Sequence, residues 1–175
     1  LYCGKTKKQP NLCPKCGSKY VKFFGAGTER VEEEVRKYLK NAKILRMDVD
    51  TTRAKDSHEK IYNAFKAGEA DILIGTQMVS KGLDFPNVTL VGILSADMSL
   101  NLPDYRAAER SFQIITQVAG RAGRGEKEGE VIVQTYTPEH YSLQYAKKYD
   151  YEDFYEKEFT IRAMMGYPPF GRILL

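Results

Sequence analysis

The arginine-rich segment at residues 117–125 contains the side chains best suited to chemistry in this chain. Its sequence, QVAGRAGRG, brings Gln117, Arg121 and Arg124 to one side at the helical period of about 100° per residue. Arginine binds phosphate oxygens in bidentate fashion and is never deprotonated, so phosphate is the expected ligand. The interleaved glycines cost roughly 1 kcal/mol each in a helix, which makes sense if a ligand approaches the backbone closely. The alternative is an ordinary solvated basic face.

The same segment ends a longer amphipathic pattern that begins at residue 104. An apolar stripe recurs along it at helical spacing, which predicts one long helix with this stripe packed inward. The guanidinium groups would then stand on the opposite face. The stripe consists of Ala108, Phe112, Ile115 and Ala119.

The cysteines all lie near the start of the chain and favour a metal site. Cys13 and Cys16 flank Pro-Lys in a knuckle that lets two thiolates reach one tetrahedral zinc, and Cys3 can supply a third ligand. An odd number of cysteines fits metal binding in a reducing compartment better than disulfides. The fourth ligand is expected before residue 1, because His58 and His140 lie in predicted helices far along the chain.

A GKT tripeptide at residues 4–6 looks like the end of a phosphate-binding loop but lacks its context. The required first glycine and a preceding strand are both missing, and neither another GK[ST] nor a paired acidic motif occurs in the sequence. The chain is therefore expected to have no complete nucleotide-hydrolysis site of its own.

From residue 20 onward, short apolar runs alternate with amphipathic helices. Such runs favour a parallel sheet with helices on both faces, which is an α/β fold. Helices are predicted after residue 27, with Thr28 as the N-cap, and at 55–67, 138–148 and 151–165. Strands are predicted at 20–24, 43–49, 71–75, 88–94 and 130–134.

Two segments would lie beyond the carboxyl ends of strands, where parallel α/β sheets bind their ligands. Segment 75–86 places a hydroxyl residue, a lysine and an aspartate in one loop and short helix after a strand. Segment 25–29 offers backbone N–H groups at the start of a helix, which suits an anion. Each segment could also be an ordinary surface loop.

Tyrosines cluster near the end of the α/β pattern. They could stack on nucleic-acid bases, but aromatic residues at helical spacing more often pack in a core. The residues concerned are Tyr141, Tyr145, Tyr149 and Tyr151.

The composition is that of a soluble globular protein. The chain has 175 residues, of which 42% are hydrophobic and 29% charged, and no run approaches the roughly 20 apolar residues of a membrane span. A net charge of +4 is compatible with nucleic acid but does not argue for it alone. Three parts are expected: a partial zinc-binding segment at 1–19, an α/β lobe at 20–150, and at 151–175 a closing helix with the start of a further domain.

Five motifs in this order resemble the second motor lobe of superfamily 2 helicases, and within them the primosomal replication-restart DNA helicases. With the cysteine knuckles before them, the resemblance covers nearly the whole chain. It implies a RecA-like lobe that closes on a first lobe carrying the P-loop and the acidic magnesium motif. The motifs are FGAGTE at 24–29, GTQMVSKGLDFP at 75–86, SAD at 95–97, PDYRAAER at 103–110 and QVAGRAGR at 117–124.

The resemblance also implies roles for individual residues. Arg121 and Arg124 would reach the γ-phosphate of ATP, with Arg124 as the arginine finger and Gln117 in the same catalytic motif. Gly82 and Asp84 would lie near the nucleotide. The contacts with the DNA backbone would come from Gly27, Thr28, Thr76 and Gln77.

Cofactors and partners follow from the same resemblance. ATP and Mg²⁺ would be held mainly by the first lobe, which leaves this chain inactive by itself, and Zn²⁺ by the cysteines. The partners would be single-stranded and forked DNA, the first lobe and other primosome or replication-restart proteins, in a bacterial cytoplasm and without a membrane. The alternatives are a non-catalytic zinc-ribbon module that binds nucleic acid and a purely structural or partner-binding domain.

Overall fold

The computed structural model of this chain describes residues 12–19, 27–52, 56–80, 85–123 and 128–173. Within these ranges helices and strands alternate, as the sequence predicts. In chain order the elements are α1 Thr28–Tyr38, β1 Ile44–Met47, α2 Ser57–Lys66, β2 Ile72–Gly75, α3 Gln77–Ser80, β3 Leu90–Ile93, α4 Asp97–Leu100, α5 Ala107–Ala119, β4 Glu130–Val133, α6 Tyr141–Lys148 and α7 Tyr151–Met165.

The strands pair in parallel, and helices connect the members of each pair. β1 pairs with β2 in the register Ile44 to Ile72, and β3 pairs with β4 in the register Leu90 to Glu130. Parallel neighbours need a long crossover, which α2 and α5 provide. The α/β class is confirmed. The strands of the described part form two separate pairs and not one continuous sheet, and the predicted strand at 20–24 lies outside that part.

Helix α1 begins one residue earlier than its predicted cap implies. Gly27 is the N-cap residue, and Thr28 is the first residue of the helix. The prediction of Thr28 as the N-cap is therefore wrong. The physical reason is that the Thr28 hydroxyl bonds to a carboxylate at the end of β1 and does not turn back to the N–H groups of its own helix.

Two apolar clusters form the core around these elements. One cluster buries Met47 and Phe85 against the inner face of α2. The other buries Phe112 and Ile115 of α5 together with residues of α6 and α7, and the rings of Phe112 and Phe154 stack with 4.1 Å between their centres. Helix α7 therefore shares a core with the α/β elements before it.

A buried ion-pair network fastens α7 to α5 and α6. Arg162 lies 2.9 Å from a carboxylate oxygen of Glu158 and 2.7 Å from one of Glu109 on α5. The hydroxyl of Tyr141 on α6 donates to Glu158 at 2.6 Å. Because Glu158 is only 7% exposed, these partners are needed to compensate its buried charge.

The tyrosines of the α6 and α7 region divide between packing and exposure. Tyr141 and Tyr145 pack against the second core cluster. Tyr149 and Tyr151 are more than half exposed. The described ranges contain no helix that is both long enough and apolar enough to cross a membrane.

Candidate nucleotide and nucleic-acid interface

Asp48 organises the carboxyl end of β1. It is 6% exposed, and its carboxylate accepts a 2.5 Å hydrogen bond from the hydroxyl of Thr28. The N–H groups of Asp50 and Thr51 donate to the other carboxylate oxygen at 3.0 and 2.9 Å. Arg46 Nε lies 2.9 Å from the oxygen that Thr28 contacts. Asp48 thus joins the start of α1 to the end of β1.

The electrostatic environment keeps Asp48 ionised. Burial raises the pKa of this carboxyl, but the hydrogen bonds from Thr28 and Thr51, with the nearby Arg46 charge, outweigh burial and lower the pKa below its ordinary value. Asp48 is a site residue that none of the sequence motifs predicts. The available signal was the DVDTT run after an apolar strand, because aspartate and threonine side chains commonly bond to the backbone of a turn.

Thr76 and Gln77 lie at the neighbouring strand end. Gly75, the last residue of β2, is opposite Met47 in the register, so Thr76 follows beside the Asp48 turn. Both Thr76 and Gln77 are exposed. A side chain on Gly75 would lie 2.7 Å from the Met47 carbonyl oxygen and would overlap Val79, so only glycine lets α3 start directly after β2.

Several predicted site residues lie outside the described part of the chain. The described segment resumes at Phe85, whose ring is 5% exposed and packs edge-on against Phe65 at 4.9 Å. The carboxyl end of segment 75–86 is therefore anchored in the core. The residues outside are Cys3, Gly82, Asp84 and Arg124.

Helix α5 ends before the arginines. The apolar stripe is confirmed in that Phe112, Ile115 and Ala119 are buried, but the helix stops at Ala119 with Gly120 as its C-cap. The prediction that Arg121 stands on a continuing helix is wrong. Arg121 lies in a turn in which its N–H donates to the Val118 carbonyl at 3.1 Å. Glycine commonly ends helices, and here it does so.

Residues 120–123, which we call the arginine loop, pack against the amino ends of β3 and β4. The N–H of Gly123 donates to the carbonyl of Val88 at 3.0 Å, just before β3. The backbone of Gly123 touches that of Gly129, just before β4. The sequence analysis attributed the glycine spacing to a phosphate ligand. At Gly123 the group that approaches so closely is instead the chain's own backbone.

The predicted DNA-facing and phosphate-facing segments meet through two helices. Helix α3, which begins at Gln77, contacts α5, which leads into the arginine loop. Gln117, on the last turn of α5, is exposed, and Arg121 is half-buried. The structure therefore brings the segment after Thr76 and the helix before Arg121 into one packed unit.

Asp97 forms a second buried carboxylate node at the carboxyl ends of β3 and β4. It is 3% exposed and accepts hydrogen bonds from the N–H of Tyr136 at 3.0 Å and the hydroxyls of Thr135 and Thr137 at 3.1 and 3.2 Å. Burial raises the pKa of Asp97, but these hydrogen bonds outweigh burial and lower the pKa overall. The SAD motif therefore joins two strand ends.

Cys13 and Cys16 lie in one tight turn of the chain. The Cys13 N–H donates to Ser18 and its carbonyl accepts from Gly17, which adopts a φ of +68°. The backbone N–H groups of Cys16 and Lys15 lower the pKa of the Cys13 thiol, and thiolate is the form that binds zinc. The described residues hold no group of three or more candidate ligands, and Cys3 lies outside them.

Sequence comparison with known proteins agrees with this architecture. Replication restart protein PriA of Bacillus subtilis is 59% identical over 99% of this chain, and PriA of Synechocystis is 49% identical over 99%. PriA of Chlamydia pneumoniae is 44% identical over 98%. The chain spans only 21 to 23% of the length of these proteins.

The predicted resemblance to replication-restart helicases is confirmed by these relatives. The profile of the helicase conserved C-terminal domain matches residues 15–126. That match takes in the first strand pair, β3, α5 and the arginine loop, and covers well over half of the sequence. The chain therefore belongs to the helicase conserved C-terminal domain family.

Proposed function

We propose that this chain is the second motor lobe of an ATP-dependent DNA helicase that acts in replication restart and primosome assembly. The observation that carries the proposal is the packing of α3 against α5. This packing joins the segment after Thr76 to the helix that leads into Arg121. A motor needs a physical connection between its two sites, because changes at the nucleotide must alter the grip on DNA, and this contact is a route for it.

On the nucleotide side, the chain contributes positive charge to a site shared with a P-loop lobe of the same protein. ATP, held with Mg²⁺ mainly by that lobe, supplies the phosphoryl group. Arg124 acts as the arginine finger and Arg121 as a second phosphate contact, with Gln117 beside them and Gly82 and Asp84 near the nucleotide. An arginine finger is worth on the order of 10³ to 10⁵ in rate, because it stabilises charge on the transferring phosphoryl group.

On the DNA side, contacts go to the sugar-phosphate backbone. Thr76 and Gln77 offer exposed polar side chains. The hydroxyl of Thr28 is already bonded to Asp48, so Gly27 and Thr28 are left to bind phosphate through backbone N–H groups at the start of α1. Backbone contacts make binding to single-stranded or forked DNA independent of sequence and weaker at high salt.

The cysteine knuckle completes the proposal with a zinc site. Cys3, Cys13 and Cys16 would bind Zn²⁺ with a fourth ligand from elsewhere in the protein, and the lowered pKa of Cys13 suits this role. We propose residues 1–19 as part of this zinc segment, 20–150 as the motor lobe and 151–175 as a closing helix and the start of another domain. The location would be the cytoplasm, with other replication-restart proteins as partners.

The test is DNA-stimulated ATP hydrolysis by the full-length protein that contains this chain, comparing Arg124→Ala with the unmodified protein. Turnover is expected to fall at least about 10³-fold, with little change in the affinity for single-stranded DNA. Arg36→Ala is the matched control, because Arg36 is an exposed arginine on α1 whose ion pair within the described ranges is with its helical neighbour Glu32. Unchanged turnover in Arg124→Ala would refute the motor function.

A further inference from the structure

Gly129 lies outside all five helicase-like motifs but touches the arginine loop. A methyl group added to Gly129 would lie 2.7 Å from the Cβ of Ala122 and closer still to the backbone nitrogen of Gly123. Real Cβ atoms essentially never approach another atom within 3.0 Å. Only glycine therefore fits beside the peptide bond that follows Ala122.

The contact between loop and strand is reciprocal. Gly123 adopts a φ of +70°, and a methyl group added there would lie 2.9 Å from the Cα of Gly129. Two glycines thus pack backbone against backbone. By contrast, Gly92 in the middle of β3 has nothing within 4 Å of an added methyl group. Beside this strand pair, the close packing thus occurs at Gly123 and Gly129 and not at Gly92.

Gly129 adds to the backbone contacts that hold the arginine loop in place. On one side, the Arg121 N–H bonds to Val118 at the end of α5, and the Gly123 N–H bonds to Val88 before β3. The Nε atom of Arg121 is buried, so the guanidinium group is packed against the protein at the atom that joins it to the rest of the side chain. On the other side, the loop rests on Gly129. The next residue, Glu130, bonds to Thr89 at 2.8 Å and begins β4.

We propose that Gly129 is a positioning residue for Arg121 in ATP hydrolysis, an inference that rests on the proposed function. A side chain at position 129 pushes the loop away from the strands by at least about 0.7 Å, the step from 2.7 Å to the 3.4 Å of ordinary contact. Misplacement of a catalytic group by about 1 Å can cost 10²-fold in rate. Because Gly129 has no side chain, the arginine loop lies close to the strands, and this distance fixes the position of Arg121.

The experiment measures kcat and KM for DNA-stimulated ATP hydrolysis in the full-length protein. Four variants are compared: Gly129→Ala, Arg121→Ala, the double variant, and Gly92→Ala as the matched glycine control. We expect Gly129→Ala to lower kcat about 10- to 100-fold, while the affinity for single-stranded DNA without nucleotide stays near the unmodified value and the urea midpoint falls because the added methyl group overpacks the contact. Gly92→Ala should stay within about twofold, because its methyl group enters open space.

The double variant separates positioning from general damage. If Gly129 acts through Arg121, the double variant has the same kcat as Arg121→Ala alone. Multiplied losses in the double variant, or a Gly129→Ala kcat within twofold of the unmodified protein, would overturn the proposal. If Arg121→Ala keeps full turnover, the proposed function itself fails. Should Gly129→Ala not fold, Gly123→Ala compresses the same contact from the other side and replaces it in the cycle.

Discussion

Replacement of Asp97 by asparagine tests the buried node at the ends of β3 and β4. The substitution keeps the size of the side chain but converts one accepting oxygen into an NH₂ donor. The N–H of Tyr136 donates to both carboxylate oxygens, at 3.0 and 3.2 Å, and an NH₂ group in place of the nearer oxygen leaves it only the longer bond, to a neutral acceptor. The hydroxyls of Thr135 and Thr137 also lose a charged acceptor.

The expected loss follows from these contacts. Three donors, the Tyr136 N–H and the hydroxyls of Thr135 and Thr137, exchange a charged acceptor for a neutral one, and a bond to a charged acceptor is worth about 1 kcal/mol more than a neutral one. We therefore expect Asp97→Asn to lower the free energy of unfolding by about 2–4 kcal/mol at pH 7. Urea-induced unfolding followed by circular dichroism measures this difference.

The pH dependence gives the same prediction a second readout. The pKa of Asp97 is lower in the folded chain than in the unfolded chain, since its hydrogen bonds outweigh its burial. The stabilisation that the ionised Asp97 provides is therefore fully present above about pH 4, the ordinary carboxyl pKa. It is lost as the pH falls from there through the lowered pKa of the folded chain. The difference in the free energy of unfolding between Asp97→Asn and the unmodified protein should therefore become smaller at acidic pH.

The matched control is Asp56→Asn. Asp56 is exposed and has a φ of 67°, a conformation that asparagine tolerates. Asp56→Asn should change the free energy of unfolding by less than about 0.5 kcal/mol. The reasoning fails if Asp97→Asn costs no more than this control, or if its gap to the unmodified chain is the same at pH 2 as at pH 7.

Two further predictions concern the helices that follow β4. Phe154→Ala should cost about 3–5 kcal/mol in urea unfolding, because its ring is 3% exposed and stacks in the core; the half-exposed Tyr155→Ala is its control, and equal losses would contradict the assigned core. The pKa of His140 is lowered chiefly by burial, and its Nδ1 accepts from the N–H of Ser142 at the start of α6. Stability should therefore fall as the pH drops below about 6.5, and His140→Asn should flatten that part of the profile; an unchanged profile would exclude His140 as its source.

The sequence predicted elements well where local chemistry and packing agree. The bounds of α7 follow from Asp150, which accepts a hydrogen bond from the Asp153 N–H, and from Gly166, which ends the helix at a φ of 63°. Both are ordinary capping signals. The core positions Phe112 and Ile115 followed from the helical period alone, since that period holds along the whole of α5.

The candidate site was harder to predict because its contacts join distant parts of the chain. The period that revealed α5 gave no reason to stop at Gly120, so Arg121 was placed on the helix. The Asp48 contact with Thr28 and the Gly123 contact with Gly129 depend on tertiary packing. A pattern of residue types along one segment contains no information about which backbone lies opposite a glycine.

The register of the second strand pair has a consequence for the order of folding. Leu90 pairs with Glu130, so the strands that flank the arginine loop meet only after the long connection through α5 has closed. Contacts between residues so distant in sequence form slowly, because the entropy of loop closure is lost before they stabilise the chain. Helix α5 can form early from local contacts, whereas the arginine loop takes its position only when β4 docks beside β3. In a nascent chain, Arg121 therefore reaches its place only after β4 has paired with β3.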